Sequence, residues 1–272
     1  MKPPAALKAL AAHLASAGVD PAGLALLPGA REPLPRLVVP GAEARALQER
    51  LRALDTGHYP LLLGPEEELE LLREQLGASE EEDTGALLAQ AQALSPEPAR
   101  WAGARLAGLV QLMHDAGLEP QLDAQEFAEA EAALEAEERA AEGAPAQGGG
   151  FTHDAATGQP HARVALALLP ACEPWQVPVR LRFGGFNECP TPAQHGAMLR
   201  HWQERYGAEP VALSHDALEL RVQRPPTDVA AARQLAREQV AYCPELAPPG
   251  AAALERLAAK LQGARVWRFW WE

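Results

Sequence analysis

The chain has 272 residues, of which 47% are hydrophobic and 22% are charged, a balance typical of a globular protein with a substantial core. Its 24 basic and 37 acidic side chains give a formal net charge of −13 at pH 7. Phosphate backbones and anionic membrane surfaces repel such a chain. The composition therefore argues against nucleic-acid and membrane binding, and we predict neither kind of partner.

The negative charge lies almost entirely in the first half of the chain. Residues 1–150 carry a net charge of −14, whereas residues 151–272 carry +1. A stretch rich in glycine and proline lies between the two parts, as is common for linkers. The sequence therefore predicts an acidic, helix-rich α/β region over 1–142, a linker over 143–162 and an α+β domain over 163–272.

The N-terminus predicts a cytoplasmic protein. Leu7, Leu10 and Leu14 have helical spacing, while Lys8 and His13 interrupt any signal-peptide core. No apolar stretch approaches the length of a membrane span. Three cysteines cannot all pair with one another, and reduced thiols are the rule in the cytoplasm.

The first half predicts strands and helices in alternation. Apolar runs at 36–39 and 59–64 predict two strands, and the helical pattern at 42–54 between them favours a parallel crossover. Pro65 and the acidic residues after it begin a further helix. The same periodicity predicts later helices at 84–93, 98–116 and 123–141.

The second half predicts a ferredoxin-like sheet. Strands are expected at 164–169, at 179–183 by strict alternation, at 210–213, at 218–222 and at 266–271; helices are expected at 191–206, 228–241 and 251–261. Counted from Val179, the order is strand, helix, strand, strand, helix, strand, which is the split βαβ order. The last strand carries aromatic residues on both faces, so we expect both faces to be covered.

One set of motifs is more specific than these patterns. It runs Phe-Gly-Gly-Phe-Asn-Glu-Cys-Pro at 183–190, Leu-Arg-His-Trp at 199–202, Arg-Pro-Pro-Thr at 224–227, Tyr-Cys-Pro at 242–244 and Trp-Arg-Phe-Trp-Trp-Glu at 267–272. In this order the set resembles the bacterial family named domain of unknown function 4253, over roughly 170–272. The resemblance implies a shared site and a bacterial origin, and it implies no activity, because the family has none assigned.

The motifs define a candidate site, and three hypotheses describe it. Its residues are the loop Gly184, Gly185, Phe186, Asn187, Glu188 and Cys189, then His195 and Trp202 on the following helix, and Glu238, Tyr242 and Cys243 further on. In the catalytic hypothesis Cys189 is a nucleophile, His195 its base, and Asn187 an orienting group or oxyanion donor. In the metal hypothesis Cys189, His195 and Cys243 are ligands; the set lacks a fourth ligand and a close cysteine pair, so we predict no metal and no cofactor.

The third hypothesis is structural, and we favour it. His195, Leu199, Trp202 and Tyr206 are spaced as one buried stripe of a helix. Cys189 and Cys243 each precede a proline and are expected to be small buried residues that end an element. Glu238 shares a helix face with apolar residues. It would need a partner such as Arg182, Arg200 or Arg224, unless it lines a pocket as an acid.

The functional hypotheses follow from these alternatives. The leading one is a non-catalytic module of regulatory or immunity type that binds a protein partner, with the acidic faces favouring a basic partner. The alternatives are a small thiol-dependent hydrolase centred on Cys189 and His195, and a metal-binding protein.

Overall fold

The computed structural model describes residues 5–27, 33–54, 57–78, 83–101, 150–170, 172–247 and 250–271. The elements of the first half are helix α1 (Ala5–Ser16), strands β1 (Ala25–Leu26) and β2 (Pro35–Val39), helix α2 (Gly41–Ala53), strand β3 (His58–Pro65), and helices α3 (Leu69–Ala78) and α4 (Thr84–Ala93). The helix predicted at 98–116 is described, and helical, only over 98–101. The helix predicted at 123–141 and the glycine-rich stretch at 143–149 lie outside the described residues.

The second half completes a mixed α+β fold. Its elements are strand β4 (Val164–Pro170), the short helix α5 (Val177–Arg180), helix α6 (Pro192–Tyr206), strands β5 (Ala208–Leu213) and β6 (Ala217–Val222), helices α7 (Val229–Tyr242) and α8 (Ala251–Leu261), and strand β7 (Val266–Trp270). A 3₁₀ turn at Pro244–Leu246 follows α7.

All the strands of the described residues form one sheet in the order β1-β2-β4-β3-β5-β6-β7. The β3–β5 pair is parallel and the other pairs are antiparallel. Strands β2 and β3 both run antiparallel to β4, so they share a direction, as the strand–helix–strand spacing predicts, but β4 lies between them. Strands from both predicted units therefore contribute to one sheet, and the division into units stays a prediction.

The strand predicted at 179–183 is wrong. Val177–Arg180 is a helical turn in which Pro178 occupies the first turn, where its missing N–H costs nothing. The amide of Phe183 then donates to the carbonyl of Pro178 at 2.9 Å, so the chain folds back on itself. The alternation of apolar residues misled the prediction because both sides of this segment are packed: only Arg180 among residues 177–183 is more than slightly exposed.

The ferredoxin-like order is not confirmed. Its first predicted strand is the α5 turn, and β3 from the first half lies between β4 and β5. The observed strand order depends on pairing between residues that are about 100 to 150 positions apart, which local patterns do not encode.

The two faces of the sheet are covered unequally. One face packs under α6 and α7 in a core that includes Trp202, Trp267, Phe269 and Trp271. The other face packs under α1 and α2, in a core drawn mainly from β2, β3, β4 and β5: Leu37, Leu62, Leu166 and Ala212. The helices on this second face do not extend over β7.

Strand β7 therefore corrects one expectation. Trp267, Phe269 and Trp271 are buried, as predicted for a core strand. On the opposite face, however, Val266 and Trp270 are 48% and 47% exposed. Within the described part of the chain, the prediction that both faces of this strand are covered therefore does not hold.

A glutamine completes the contact between β3 and β5. The pairing of these strands has one register pair, Leu62 with Ala212. The buried side chain of Gln48 donates from Nε2 to the carbonyl of Pro60 at 3.2 Å and to that of Val211 at 2.6 Å. Pro60 and Pro210 lack an N–H group, so these strands cannot form a complete ladder of main-chain hydrogen bonds. The side chain of Gln48 on α2 instead donates to the two carbonyl groups.

Candidate functional site

The Phe-Gly-Gly motif forms a tight loop against the imidazole of His195. Gly184 and Gly185 have φ angles of 107° and 84°, and Asn187 has 44°. A Cβ atom on Gly184 would lie 2.0 Å from the carbonyl oxygen of Pro190 and 2.7 Å from the His195 ring. Only glycine therefore fits at 184, both for its conformation and for its contacts. Gly185 has open space around its Cα, so only its conformation favours glycine there.

Helix α6 places His195 beneath this loop. The Thr191 side chain accepts from the amide of Gln194 while the Gln194 side chain accepts from the amide of Thr191, which confirms the predicted capping box. Gly207 ends the helix in a left-handed conformation, as predicted. His195, Trp202 and Tyr206 are all buried on one stripe of the helix.

Three polar side chains meet inside the core. The Sγ atom of Cys189 lies 3.3 Å from Nε2 of His195, and the other ring nitrogen, Nδ1, lies 2.5 Å from the hydroxyl of Tyr242. Cys189 is 3% exposed, and His195 and Tyr242 are 0% exposed. We call Cys189, His195 and Tyr242 the buried triad.

The hydroxyl of Tyr242 determines the tautomer of His195. Burial raises the pKa of Tyr242 well above its usual range, so the phenol keeps its proton. Among the described residues its one acceptor is Nδ1 of His195, and a buried hydroxyl that donates to nothing is costly. A neutral imidazole that accepts at Nδ1 carries its proton on Nε2, and this is the tautomer that we assign to His195. His195 therefore donates an N–H to the sulfur of Cys189, whereas a general base would have to accept the thiol proton there.

Aromatic rings enclose the triad. The ring of His195 lies 5.0 Å from that of Phe183 and 5.4 Å from those of Tyr242 and Trp271. Trp202 stacks on Phe269 at 5.4 Å on the far side of Tyr242. Aromatic residues of the loop motif, of Leu-Arg-His-Trp, of Tyr-Cys-Pro and of the terminal motif are thus brought together in the core.

The residues of the loop differ in their exposure to solvent. Gly185, Asn187 and Glu188 are exposed, and Phe186 packs its edge against Phe183. Nδ1 of His195 contacts the hydroxyl of Tyr242, and the orienting role of Asn187 stays a prediction. The spacing of Leu235 and Tyr242 on one face of α7 indicates that Tyr242 points inward, but nothing local indicates which buried group it meets.

The other two cysteines lie outside the triad. Cys243 donates its thiol to the carbonyl of Trp270 at 3.1 Å, and burial raises the pKa of this thiol strongly. Cys172 is half-buried, and burial raises its pKa to about 11. In the part of the chain that the structure describes, no group of three histidine, cysteine or acidic side chains is arranged to hold a metal ion. The set Cys189, His195 and Cys243 therefore lacks support as a metal site.

Glu238 joins α7 to α6 without an arginine. Its carboxylate accepts from Nε1 of Trp202 at 3.1 Å, from Nε2 of His201 at 3.3 Å and from Nε2 of Gln234 at 3.2 Å. Burial opposes ionisation, but these hydrogen bonds outweigh it and lower the pKa of Glu238 below its usual 4.5. The interaction is a structural one between helices.

The arginine partners predicted for Glu238 are wrong. Arg200 donates to the carbonyl of Gln92, and Arg224 donates to the carbonyl of Glu204 at the end of α6. Arg182 is buried at the loop, where its φ of 53° is unusual for a residue other than glycine. The sequence predicts that an arginine pairs with Glu238. A histidine, a tryptophan and a glutamine donate hydrogen bonds to it instead.

A groove lies beside the uncovered face of β7. It has a volume of about 280 Å³, and its lining consists of Gly150, Phe151, Ala155, Ala217, Leu218, Glu245, Leu246, Arg268, Phe269 and Trp270. Its basic side chain, Arg268, binds Glu219 at 2.6 Å, and Glu219 also binds Arg45 of α2 at 2.6 Å. We call this feature the β7 groove.

These features define a mixed α+β domain whose most specific motifs build its core. Residues 165–272 match the family described as domain of unknown function (DUF4253), which confirms the predicted resemblance over this part of the chain. No curated protein and no solved structure matches the chain. None of the described helices combines the length and the apolar character needed to cross a bilayer.

Proposed function

We propose that this protein is a non-catalytic module of the bacterial cytoplasm that binds another protein through the face of β7. The observation that carries the proposal is the exposed side of this edge strand. Trp270 and Val266 leave about half of their surface in solvent, beside the β7 groove. Exposed tryptophan next to an apolar groove is characteristic of the anchor positions of protein interfaces.

The buried triad supports the same proposal. A catalytic thiol has to meet its substrate, and Cys189 is 3% exposed beneath a loop packed directly on His195. In the tautomer that Tyr242 imposes, His195 is also a donor toward the sulfur. In this proposal the motif residues stabilise the fold, and exposed residues on the surface bind the protein partner.

Affinity capture with paired variants tests this function. The full chain and the variant Trp270→Glu are used as baits in native lysate, with Leu71→Glu as a control, because Leu71 is 46% exposed on α3. We expect a stoichiometric partner that the wild type and Leu71→Glu retain and that Trp270→Glu loses. A partner retained equally by all three baits, or none at all, would contradict the proposal.

A thiol-dependent hydrolase is the second candidate, and the 3.3 Å contact between Cys189 and His195 favours it. This function needs an accessible thiol that becomes reactive near neutral pH. The rate of Cys189 alkylation is measured against pH in the folded chain, and it distinguishes the two functions. The variant Cys189→Ala shows which part of the alkylation comes from Cys189. Fast alkylation below pH 8 would support the hydrolase, whereas protection until the chain unfolds supports the structural role.

A further inference from the structure

We propose that the β7 groove accepts an arginine side chain of the protein partner, with its guanidinium against Trp270 and the Glu245 carboxylate. This inference rests on the proposed function and identifies the chemistry that the partner must present. Three features carry it: the position of the indole, the position of the carboxylate, and the balance of charge around the groove.

The indole of Trp270 is held in place and still exposed. Its Nε1 donates to Oδ2 of Asp216 at 2.9 Å, which fixes the ring edge, while 47% of the residue surface faces solvent. A tryptophan face is the best aromatic surface for a cation, and arginine is the usual cation in such contacts.

Glu245 brings a carboxylate next to this residue. The thiol of Cys243 contacts both Oε2 of Glu245, at 3.6 Å, and the carbonyl oxygen of Trp270, at 3.1 Å. The carboxylate and the main chain of Trp270 therefore flank the same sulfur atom. Glu245 and Trp270 both line the groove, so a cation bound there can contact both residues.

The charges around the groove favour a cation over an anion. Arg268 is held in an ion pair with Glu219, whose carboxylate also binds Arg45. Among the described residues, Glu245 has no basic side chain within ion-pair distance, and Asp216 pairs only with His215. The negative charge of residues 1–150 attracts a basic partner to the molecule as a whole.

The size and lining of the groove suit a side chain with an apolar stem. Its volume of about 280 Å³ lies just below the usual range of small-molecule pockets, about 300–1,000 Å³. Phe151, Leu218, Leu246 and Phe269 supply apolar walls for the methylene groups of arginine, whose charged end remains near the rim.

Three fluorescent peptides test the inference on the full chain. They are Gly-Leu-Arg-Leu-Arg-Gly and the matched peptides with glutamine or glutamate in place of arginine, and their dissociation constants are measured by fluorescence anisotropy at low and physiological salt. We expect the arginine peptide to bind about two- to fivefold more tightly than the glutamine peptide. The glutamate peptide should bind most weakly, and the preference should decrease as salt is added.

Two variants localise the preference. Glu245→Gln, at an exposed position, should remove most of the difference between the arginine and glutamine peptides, and Trp270→Ala should weaken both; Leu71→Ala is the control. Equal binding of the three peptides, binding of none up to millimolar concentration, or a preference unchanged in Glu245→Gln would each overturn the inference. If capture of a partner still depends on Trp270 in such a case, the proposed function stands; if that dependence is also absent, the proposed function fails independently.

Discussion

At the residue scale, the double glycine of the family motif combines two different requirements. A Cβ atom added at Gly184 would collide with a carbonyl oxygen and an imidazole ring, whereas one added at Gly185 would meet open space. Both have positive φ angles, so a side chain at either position costs conformational energy. Only at Gly184 does a side chain also collide with rigid neighbours.

This difference gives a matched pair of variants. We expect Gly185→Ala to lower the free energy of unfolding by about 1–2 kcal/mol from backbone strain alone. Gly184→Ala should cost clearly more, because the loop has to move off His195 to relieve the contact. Urea unfolding followed by tryptophan fluorescence measures both values, and equal losses would show that the loop does not rest on the imidazole as described.

The hydroxyl of Tyr242 gives a second prediction at this scale. Tyr242→Phe leaves Nδ1 of His195 buried without its donor, which should cost about 1–3 kcal/mol of stability. Tyr206→Phe is the control, since its hydroxyl lies beside Arg205 instead of a buried imidazole. Nitrogen-15 NMR of the wild type should show His195 protonated on Nε2 and bare on Nδ1; a proton on Nδ1 would contradict the assigned tautomer.

At the scale of elements, α6 and α7 are joined through Glu238. Its folded-state pKa lies below its usual value, so its contribution to stability is present above pH 4.5 and is lost as the pH falls through the lower, folded-state pKa. Local pattern predicted that this carboxylate would need a partner. The identity of its partners depends on how α6 and α7 pack against each other. A short stretch of sequence does not encode that packing.

A pH series tests this interaction between helices. Glu238→Gln should lower the free energy of unfolding at pH 7 by about 1 kcal/mol, because partial exposure screens the hydrogen bonds of the carboxylate. The difference from the wild type should close as the pH falls below 4.5. Glu204→Gln, at an exposed position on α6, should show no such trend. A difference in the free energy of unfolding that stays constant down to acidic pH would indicate that the charge of Glu238 contributes nothing to stability.

At the scale of the whole molecule, the sheet joins the two predicted units. Strand β3 lies between β4 and β5, so the family-defining part of the chain reaches its strand order only with the first half in place. The Arg45–Glu219–Arg268 ion pairs and the Gln48 hydrogen bonds connect the same parts. We therefore expect one cooperative unit rather than two.

A fragment tests that expectation. Residues 163–272 alone should lack cooperative unfolding and the near-UV circular dichroism of the packed aromatic cluster, because β4 and β5 lose the strand between them. The full chain, measured in parallel by calorimetry, should unfold in a single transition. A fragment with the aromatic signal of the full chain and its own cooperative transition would show that 163–272 is an independent domain.

The sequence by itself determined the features that depend on neighbours along the chain. These features are the capping box at Thr191, the end of α6 at Gly207, the buried stripe from His195 to Tyr206 and the placing of Trp267, Phe269 and Trp271 on one face of β7. The family motifs can also be read from the sequence alone, because each is a short run of residues in a fixed order.

Only the tertiary structure decided the rest. Residues 179–183 alternate like a strand, yet Pro178 and the left-handed loop fold them into a turn that is packed on both sides. The Tyr242 hydroxyl reaches His195 across 47 positions, and the face of β7 stays open because α1 and α2 cover other strands. These outcomes depend on which distant surfaces meet, and the free energy of those contacts outweighs local preference.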